Sequence, residues 1–365
     1  MELTIPLPTL PKRRQTSFSA FVLLLVVGAT AAAAASPPET KKSPPETEKF
    51  SARDSLAELT DPLPDAQTCL DGLAWPPAEF TVTSVAPAEK PYHRLVRFPS
   101  PRPTGNEVND LVSMEWYAVT DDSGQVLQAP AILVVHESGS AMPVGRLFAR
   151  SMQLHGIHGF LIHLPYYGER RGDVKRPAAE QIVPTMKQGI TDVRRARDAI
   201  AALPAVDSGH IGIQGTSLGG FVTATAAGLD GCFASTFIML AGGDLYGLIA
   251  NGQKDSAKVR QRLAEAGFQD DKLRELVRQV EPNRVAHRLN RETTWIFSAE
   301  QDRVVPIQNA IGLATKAGLD DGHHVRLPGN HYTAIVSFPV ILQQVIDHIR
   351  LLSDSSAARP APIEP

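Results

Sequence analysis

Gly215-Thr216-Ser217-Leu218-Gly219 constrains this 365-residue chain more than any other stretch. It lies between a short apolar run, His210-Ile211-Gly212-Ile213-Gln214, and a helix-forming run, Phe221-Val222-Thr223-Ala224-Thr225-Ala226-Ala227. A G-x-S-x-G pattern between strand and helix is a nucleophile elbow. The turn holds its serine in a strained backbone conformation, so the residues packed around it must be nearly free of side chain. Gly215 and Gly219 provide that room. The serine hydroxyl then points out at a helix N-terminus, where free N–H groups and the helix dipole favour developing negative charge.

A serine hydroxyl is a poor nucleophile at neutral pH. It needs a histidine base, and an acid to orient that histidine. The chain order expected after an elbow is Ser, then Asp or Glu, then His. Downstream, Thr294-Trp295-Ile296-Phe297-Ser298-Ala299 reads as a buried strand emptying into Glu300-Gln301-Asp302-Arg303. Asp302 is the candidate acid, with Glu300 as its competitor. His331 follows Leu327-Pro328-Gly329-Asn330 after the last strand-like run and is the candidate base. The other ten histidines lie in or beside strand-like segments, where core packing is the default reading, or have weaker claims. No H-x-x-x-H or H-E-x-x-H pattern occurs, so no metal site is expected.

The apolar content of 43% and charged content of 21% suffice for a sizeable core. A net charge of −3 argues against nucleic acid or an anionic membrane surface as partner. Strand-like runs fall at 80–85, 94–98, 113–119, 131–136, 159–164, 210–214, 235–240, 294–298 and 324–327. Several are continuously apolar, as in a parallel sheet buried on both faces; the early ones alternate and suit an antiparallel edge. Helical patterns separate the later strands. One carries Ile182, Met186, Ile190, Val193, Ala196 and Ile200, and its opposite side bears Arg194, Arg195 and Arg197, which reads as a solvated basic face. Residues 242–292 interrupt the alternation with two charged amphipathic segments, 256–266 and 271–280. They are expected as a small helical insertion over the sheet, shaping the pocket or merely peripheral.

At the N-terminus, Lys12-Arg13-Arg14 precede an apolar run from Phe18, and Ala33-x-Ala35 fits a cleavage site before Ser36. Residues 1–35 read as a signal peptide, with an uncleaved anchor as the alternative. Export to a periplasm or the outside is expected, without stable membrane insertion after cleavage. Cleavage removes three basic residues and one acid, taking the net charge from −3 to −5. Residues 36–78 read as a Pro-rich linker and transitional segment, with the S-P-P-E-T motif repeated at 36–40 and 43–47. The main domain is expected over 79–352 and a loose tail over 353–365. Cys69 and Cys232 are the only cysteines; lone thiols are the preferred reading, a disulfide the alternative.

The segments G-T-S-L-G-G, E-Q-D-R-V-V-P and P-G-N-H-Y, in this order and beside these strands, resemble the α/β-hydrolase superfamily over residues 80–352. Within it the chain is most similar to esterase-like members related to dienelactone hydrolases and prolyl-oligopeptidase catalytic domains. The resemblance implies an α/β fold, with a mostly parallel central sheet flanked by helices on both faces, and a triad of Ser217, His331 and Asp302. It implies no cofactor and a small-molecule ester as substrate. The dienelactone enzymes use cysteine where this chain has Ser217. The oxyanion hole is expected from the N–H of Leu218 and from the loop His136-Glu137-Ser138, with Glu137 or Ser138 as the second donor. Pro165-Tyr166-Tyr167-Gly168-Glu169-Arg170-Arg171 leaves a parallel strand at its carboxyl end. Tyr166, Tyr167 and Arg170 are therefore expected to line the pocket, or Arg170 only pins the loop. The sequence points to an exported serine hydrolase acting on carboxylic esters. The alternatives are a peptidase or amidase of the same fold, and a non-catalytic binding protein.

Overall fold

In the computed structural model, residues 46–173 and 177–357 are described; the signal-peptide reading of residues 1–35 lies outside them. Ten strands among the described residues form one sheet: β1 Thr47–Arg53, β2 Glu79–Val85, β3 Arg94–Pro99, β4 Leu111–Tyr117, β5 Ala129–Val135, β6 His158–Ile162, β7 Val206–Thr216, β8 Thr236–Met239, β9 Thr294–Ala299 and β10 His324–Leu327. Their order across the sheet is β1-β2-β3-β4-β6-β5-β7-β8-β9-β10. Strands β1 to β4 are an antiparallel meander, and β4 joins β6 antiparallel. From β6 to β10 every pairing is parallel. The nine strand-like runs of the sequence are β2 to β10.

The helices are α1 Pro64–Asp71, α2 Glu107–Asp110, α3 Pro143–Leu154, α4 Ile182–Ala201, α5 Leu218–Asp230, α6 Leu245–Asn251, α7 Asp255–Glu265, α8 Asp270–Arg278, α9 Ile307–Ala317 and α10 Phe338–Ala357. Side chains alternate across a strand, so β5 feeds both faces of the sheet. Ile132 and Val134 join Phe148 and Met152 of α3 and Ile341, Val345 and Ile349 of α10 in one core. Leu133 and Val135 join Ile190 and Val193 of α4, Val222 of α5 and Leu313 of α9 in the other. Each such side chain, fully buried, contributes about 1.5–3 kcal/mol, so both layers are firmly held.

The chain leaves β5 through α3 to reach β6 on one side, then crosses by α4 to β7 on the other. The connections after β5 and β7 therefore diverge, and a crevice opens at the carboxyl ends of these strands, the usual binding place in such sheets.

Two sequence expectations fail here for one reason. The segment read as linker and transition up to residue 78 is folded in its described part: β1 extends the sheet and α1 packs Ala66, Cys69 and Leu70 inside. Its polar edge strand, TEKFSAR, buries only Ala52 fully, so no apolar pattern announces it. This segment covers α4, and Arg194 and Arg195 of the basic face expected in solvent are buried beneath it, while Arg197 is half-buried. Arg195 pairs with Asp54 through Nε, 2.8 Å from Oδ1, and its guanidinium lies 4.8 Å from the Phe80 ring centroid. Arg194 bonds Asp198 and both oxygens of Asp230 at 2.9 Å, while Ser55 donates to Asp198. The tail expected from residue 353 is also shorter, since α10 continues through Ala357. Cys69 and Cys232 are free thiols; burial pushes Cys69 up to about 11 and Cys232 up as well, leaving both largely protonated.

Candidate active site

Ser217 stands between β7 and α5 with φ 52° and ψ −113°, a conformation that costs about 1–3 kcal/mol in a non-glycine residue. The surroundings hold it there. Its N–H donates to Met239 O at 2.8 Å. A Cβ on Gly215 would come within 2.3 Å of Gly219 O, and a Cβ on Gly219 within 2.1 Å of Val135 O. The first turn of α5 thus presses directly on the end of β5, and only glycine allows that approach.

The loop after β10 brings His331 to this turn. It is pinned by Gln301 N–H on Gly329 O at 2.9 Å, Asn330 N–H on Thr333 Oγ1 at 2.8 Å and Tyr332 N–H on Asn330 Oδ1 at 3.0 Å. Ser217 Oγ–H donates to His331 Nε2 at 3.0 Å, and His331 Nδ1–H donates to Asp302 Oδ2 at 2.6 Å. Asp302 is buried, and its other oxygen accepts from Val304 N–H at 2.8 Å and Val305 N–H at 2.9 Å. Both carboxylate oxygens are therefore fixed, one by the turn into α9 and one by the imidazole. The competitor Glu300 is exposed, with its N–H on Leu327 O; its side chain takes no part.

Leu218 is the first residue of α5, so its N–H has no acceptor within the helix and is free to face an oxyanion. On the facing loop, Ser138 lines the cavity beside Ser217. Glu137 lines it too, but its carboxylate is turned to α3: Oε1 accepts from Val144 N–H at 2.9 Å and Oε2 from Gly145 N–H at 3.0 Å. An acid stands in this loop because it caps the next helix. His136 holds the same loop. Its Nδ1–H donates to Glu137 O at 2.6 Å and its Nε2 accepts from Leu164 N–H at 3.1 Å, a pattern that requires the neutral ring. Burial accordingly drives His136 down to about 3.

The loop after β6 does not line the cavity. Arg170 is fully buried, with Nη2 2.7 Å from Asp192 Oδ2, Nε on Asn109 O at 2.7 Å and Nη1 on His163 O at 3.0 Å. It cannot hold a substrate anion; it ties its loop to α4. Tyr166 donates its N–H to Asn109 Oδ1, and Tyr167 packs edge-on against His136 at 4.7 Å. The short 3-10 turn after Tyr167 brings Glu169 back to His163, whose Nδ1 accepts from Glu169 N–H at 3.1 Å.

Beyond Ser217, His331, Glu137 and Ser138, the cavity wall is built by residues the sequence did not single out. Val144 and Phe148 come from α3, and Ile335, Phe338 and Ile341 from the segment after His331. The insertion contributes Asp255 at the start of α7, whose Oδ2 accepts from Tyr332 Oη–H at 3.3 Å. The apolar ones suit a filled core equally well in sequence, and nothing there separates a cavity wall from it.

Neither a protein-family model nor a curated protein sequence matches this chain. Solved structures do. An acetyl xylan esterase from Paenibacillus sp. R4 superposes with a TM-score of 0.53 at 14% identity, covering 85% of this chain and 90% of that one. Acetyl xylan esterase 1 from Thermoanaerobacterium sp. JW/SL YS485 gives 0.51 at 11% identity, covering 78% and 95%. The fold is that of the α/β hydrolases. In the α/β-hydrolase frame, Ser217 occupies the turn after the central strand β7, Asp302 follows β9 and His331 follows β10. The antiparallel strands β1 and β2 continue the sheet beyond β3 at the edge far from this site.

Proposed function

We propose that this chain is an exported serine hydrolase, and specifically a carboxylic-ester hydrolase working through Ser217, His331 and Asp302. The observation that carries the reading is the continuous relay from Ser217 Oγ through His331 to Asp302, at 3.0 and 2.6 Å. His331 Nε2 takes the proton as Ser217 Oγ attacks the ester carbonyl. The resulting oxyanion faces the N–H groups of Leu218 and Ser138. The imidazolium, stabilised by Asp302, returns the proton to the departing alcohol and leaves an acyl-serine. His331 then deprotonates water, which attacks the acyl carbonyl and releases the acid. The relay needs no cofactor.

That the two similar structures are both named esterases agrees with this reading, although what they share with this chain is the fold. An ester is also the milder demand, because an alkoxide leaves more readily than an amine. A fluorophosphonate probe should label the protein once, at Ser217, and Ser217→Ala should abolish labelling and ester turnover together. Labelling that persists in Ser217→Ala would remove the assignment. Parallel assays on an ester and the matching amide separate esterase from amidase. Export rests on the N-terminal sequence alone; N-terminal sequencing of the native protein should find Ser36 first, and a chain starting at Met1 in the membrane fraction would establish an anchor instead.

A further inference from the structure

The cavity beside Ser217 has a volume of about 350 Å³ and is walled mainly by hydrocarbon. Val144 and Phe148 of α3 line one side, Ile335, Phe338 and Ile341 the other, and Leu327 of β10 also lines the space. The rings of Phe148 and Phe338 meet edge-on at 5.8 Å and 82°, joining the two sides. Among the described residues, no lysine or arginine lines the space. Its charged groups outside the relay are Glu137, whose two oxygens are taken by the α3 N–H groups, and Asp255. Lys258 and the Tyr332 hydroxyl both bond to Asp255, and the Lys258 hydrogen bond holds its carboxyl below the usual range. A substrate group entering here meets mainly apolar surface; the Asp255 carboxylate is already paired with Lys258, and the Lys254 ammonium is taken up over the Tyr332 ring at 4.5 Å.

Resting on the serine-hydrolase reading above, we propose that this cavity is a hydrocarbon subsite selecting esters with an uncharged apolar group of about six to ten carbons. The size follows from volume: an apolar cavity of about 150 Å³ accommodates benzene, and this one is roughly twice that, with part of it needed for the reacting carbonyl. The selected group is either the acyl chain or the alcohol, since the wall reaches both the oxyanion loop and the histidine loop. Each methylene buried contributes about 0.8 kcal/mol, or roughly fourfold in kcat/KM.

The test is kcat/KM for the full chain on two ester series. One varies the acyl chain from two to sixteen carbons with p-nitrophenol as alcohol; the other varies a linear alcohol over the same range as acetate esters. One series should rise by roughly three- to fourfold per methylene to about eight carbons and then fall, identifying the group bound. Replacing the terminal methyl of that best substrate by a carboxylate should cost at least about tenfold. Ile335→Trp, at a partly exposed position, should lower the eight-carbon to two-carbon ratio by about tenfold or more by filling the slot. Preference for the shortest ester in both series, or an unchanged ratio in Ile335→Trp with fluorophosphonate labelling intact, would overturn the subsite and leave the hydrolase reading standing. Absence of both turnover and labelling in the parent protein would remove the hydrolase reading, and this inference with it.

Discussion

Two carboxylates within a few residues of each other, Glu300 and Asp302, were equal in chemistry and nearly so in position; geometry separates them. Asp302 is buried with both oxygens engaged, whereas Glu300 points into solvent. Asp302→Asn keeps the shape but favours the wrong imidazole tautomer, and kcat should fall by about 10⁴-fold. Glu300→Gln should stay within about twofold of the parent, since surface changes away from such features are nearly neutral. Steady-state kinetics on one ester decides both; a large loss in Glu300→Gln alone would reverse the assignment. Glu137 acts at one remove. Glu137→Ala should cost about 0.5–2 kcal/mol in urea unfolding through the lost cap. Because the same loop carries Ser138, kcat should drop while KM changes little; Glu137→Gln, which can still accept a hydrogen bond, should restore part of it.

At the scale of elements, α3 and the loop before it are braced by a largely buried polar cluster around Glu115. Glu115 of β4 accepts from Arg146 Nη2 at 2.6 Å, from His163 Nε2–H at 3.1 Å and from Tyr117 Oη–H at 2.9 Å. Burial alone would raise its carboxyl, but the hydrogen bonds from His163 and Arg146 and the Arg146 charge outweigh it and bring Glu115 to about 2. The folded value lies below the ordinary 4.5, so this contribution is complete above about pH 4.5 and is lost as pH falls towards 2. Its size is on the order of 3 kcal/mol. His136 adds to the same acid limb at higher pH: its folded value of about 3 lies below 6.5, so its stabilisation declines as pH drops from 6.5 towards 3. Urea midpoints measured from pH 7 to pH 3 should fall in two overlapping stages, and Glu115→Gln should remove the lower one. A Glu115→Gln profile parallel to the parent below pH 4.5 would show that this cluster does not set the acid limit.

For the whole molecule, the segment from Thr47 to residue 78 decides whether α4 is a buried or a surface helix. Asp54 neutralises Arg195 at a site where both side chains are nearly buried. Asp54→Ala would leave that guanidinium unpaired and should cost about 3–5 kcal/mol, while the double change Asp54→Leu with Arg195→Met should recover much of it. Thermal unfolding of the two variants checks the claim, and equal losses would mean that the pair is not the coupling.

The elbow, the order Ser217, Asp302, His331 and nine of the ten strands were legible in the sequence because each rests on local constraints. Glycines beside a strained turn, apolar runs of strand length and polar loops at their carboxyl ends are written in neighbouring residues. The burial of Arg170, Arg194 and Arg195 depends on partners far away in the chain, and the capping role of Glu137 on the turn that brings Val144 and Gly145 back to it. Asp192 lies 22 residues from Arg170, and Asp54 lies 141 from Arg195. A charged side chain shows the same letter whether it faces water or a buried partner, and β1 shows too little apolar pattern to reveal what it covers. The cavity wall had the same ambiguity: Phe148, Phe338 and Ile341 carry the periodicity of core residues, and only the packing of α3 against α10 decided that a space was left between them and Ser217.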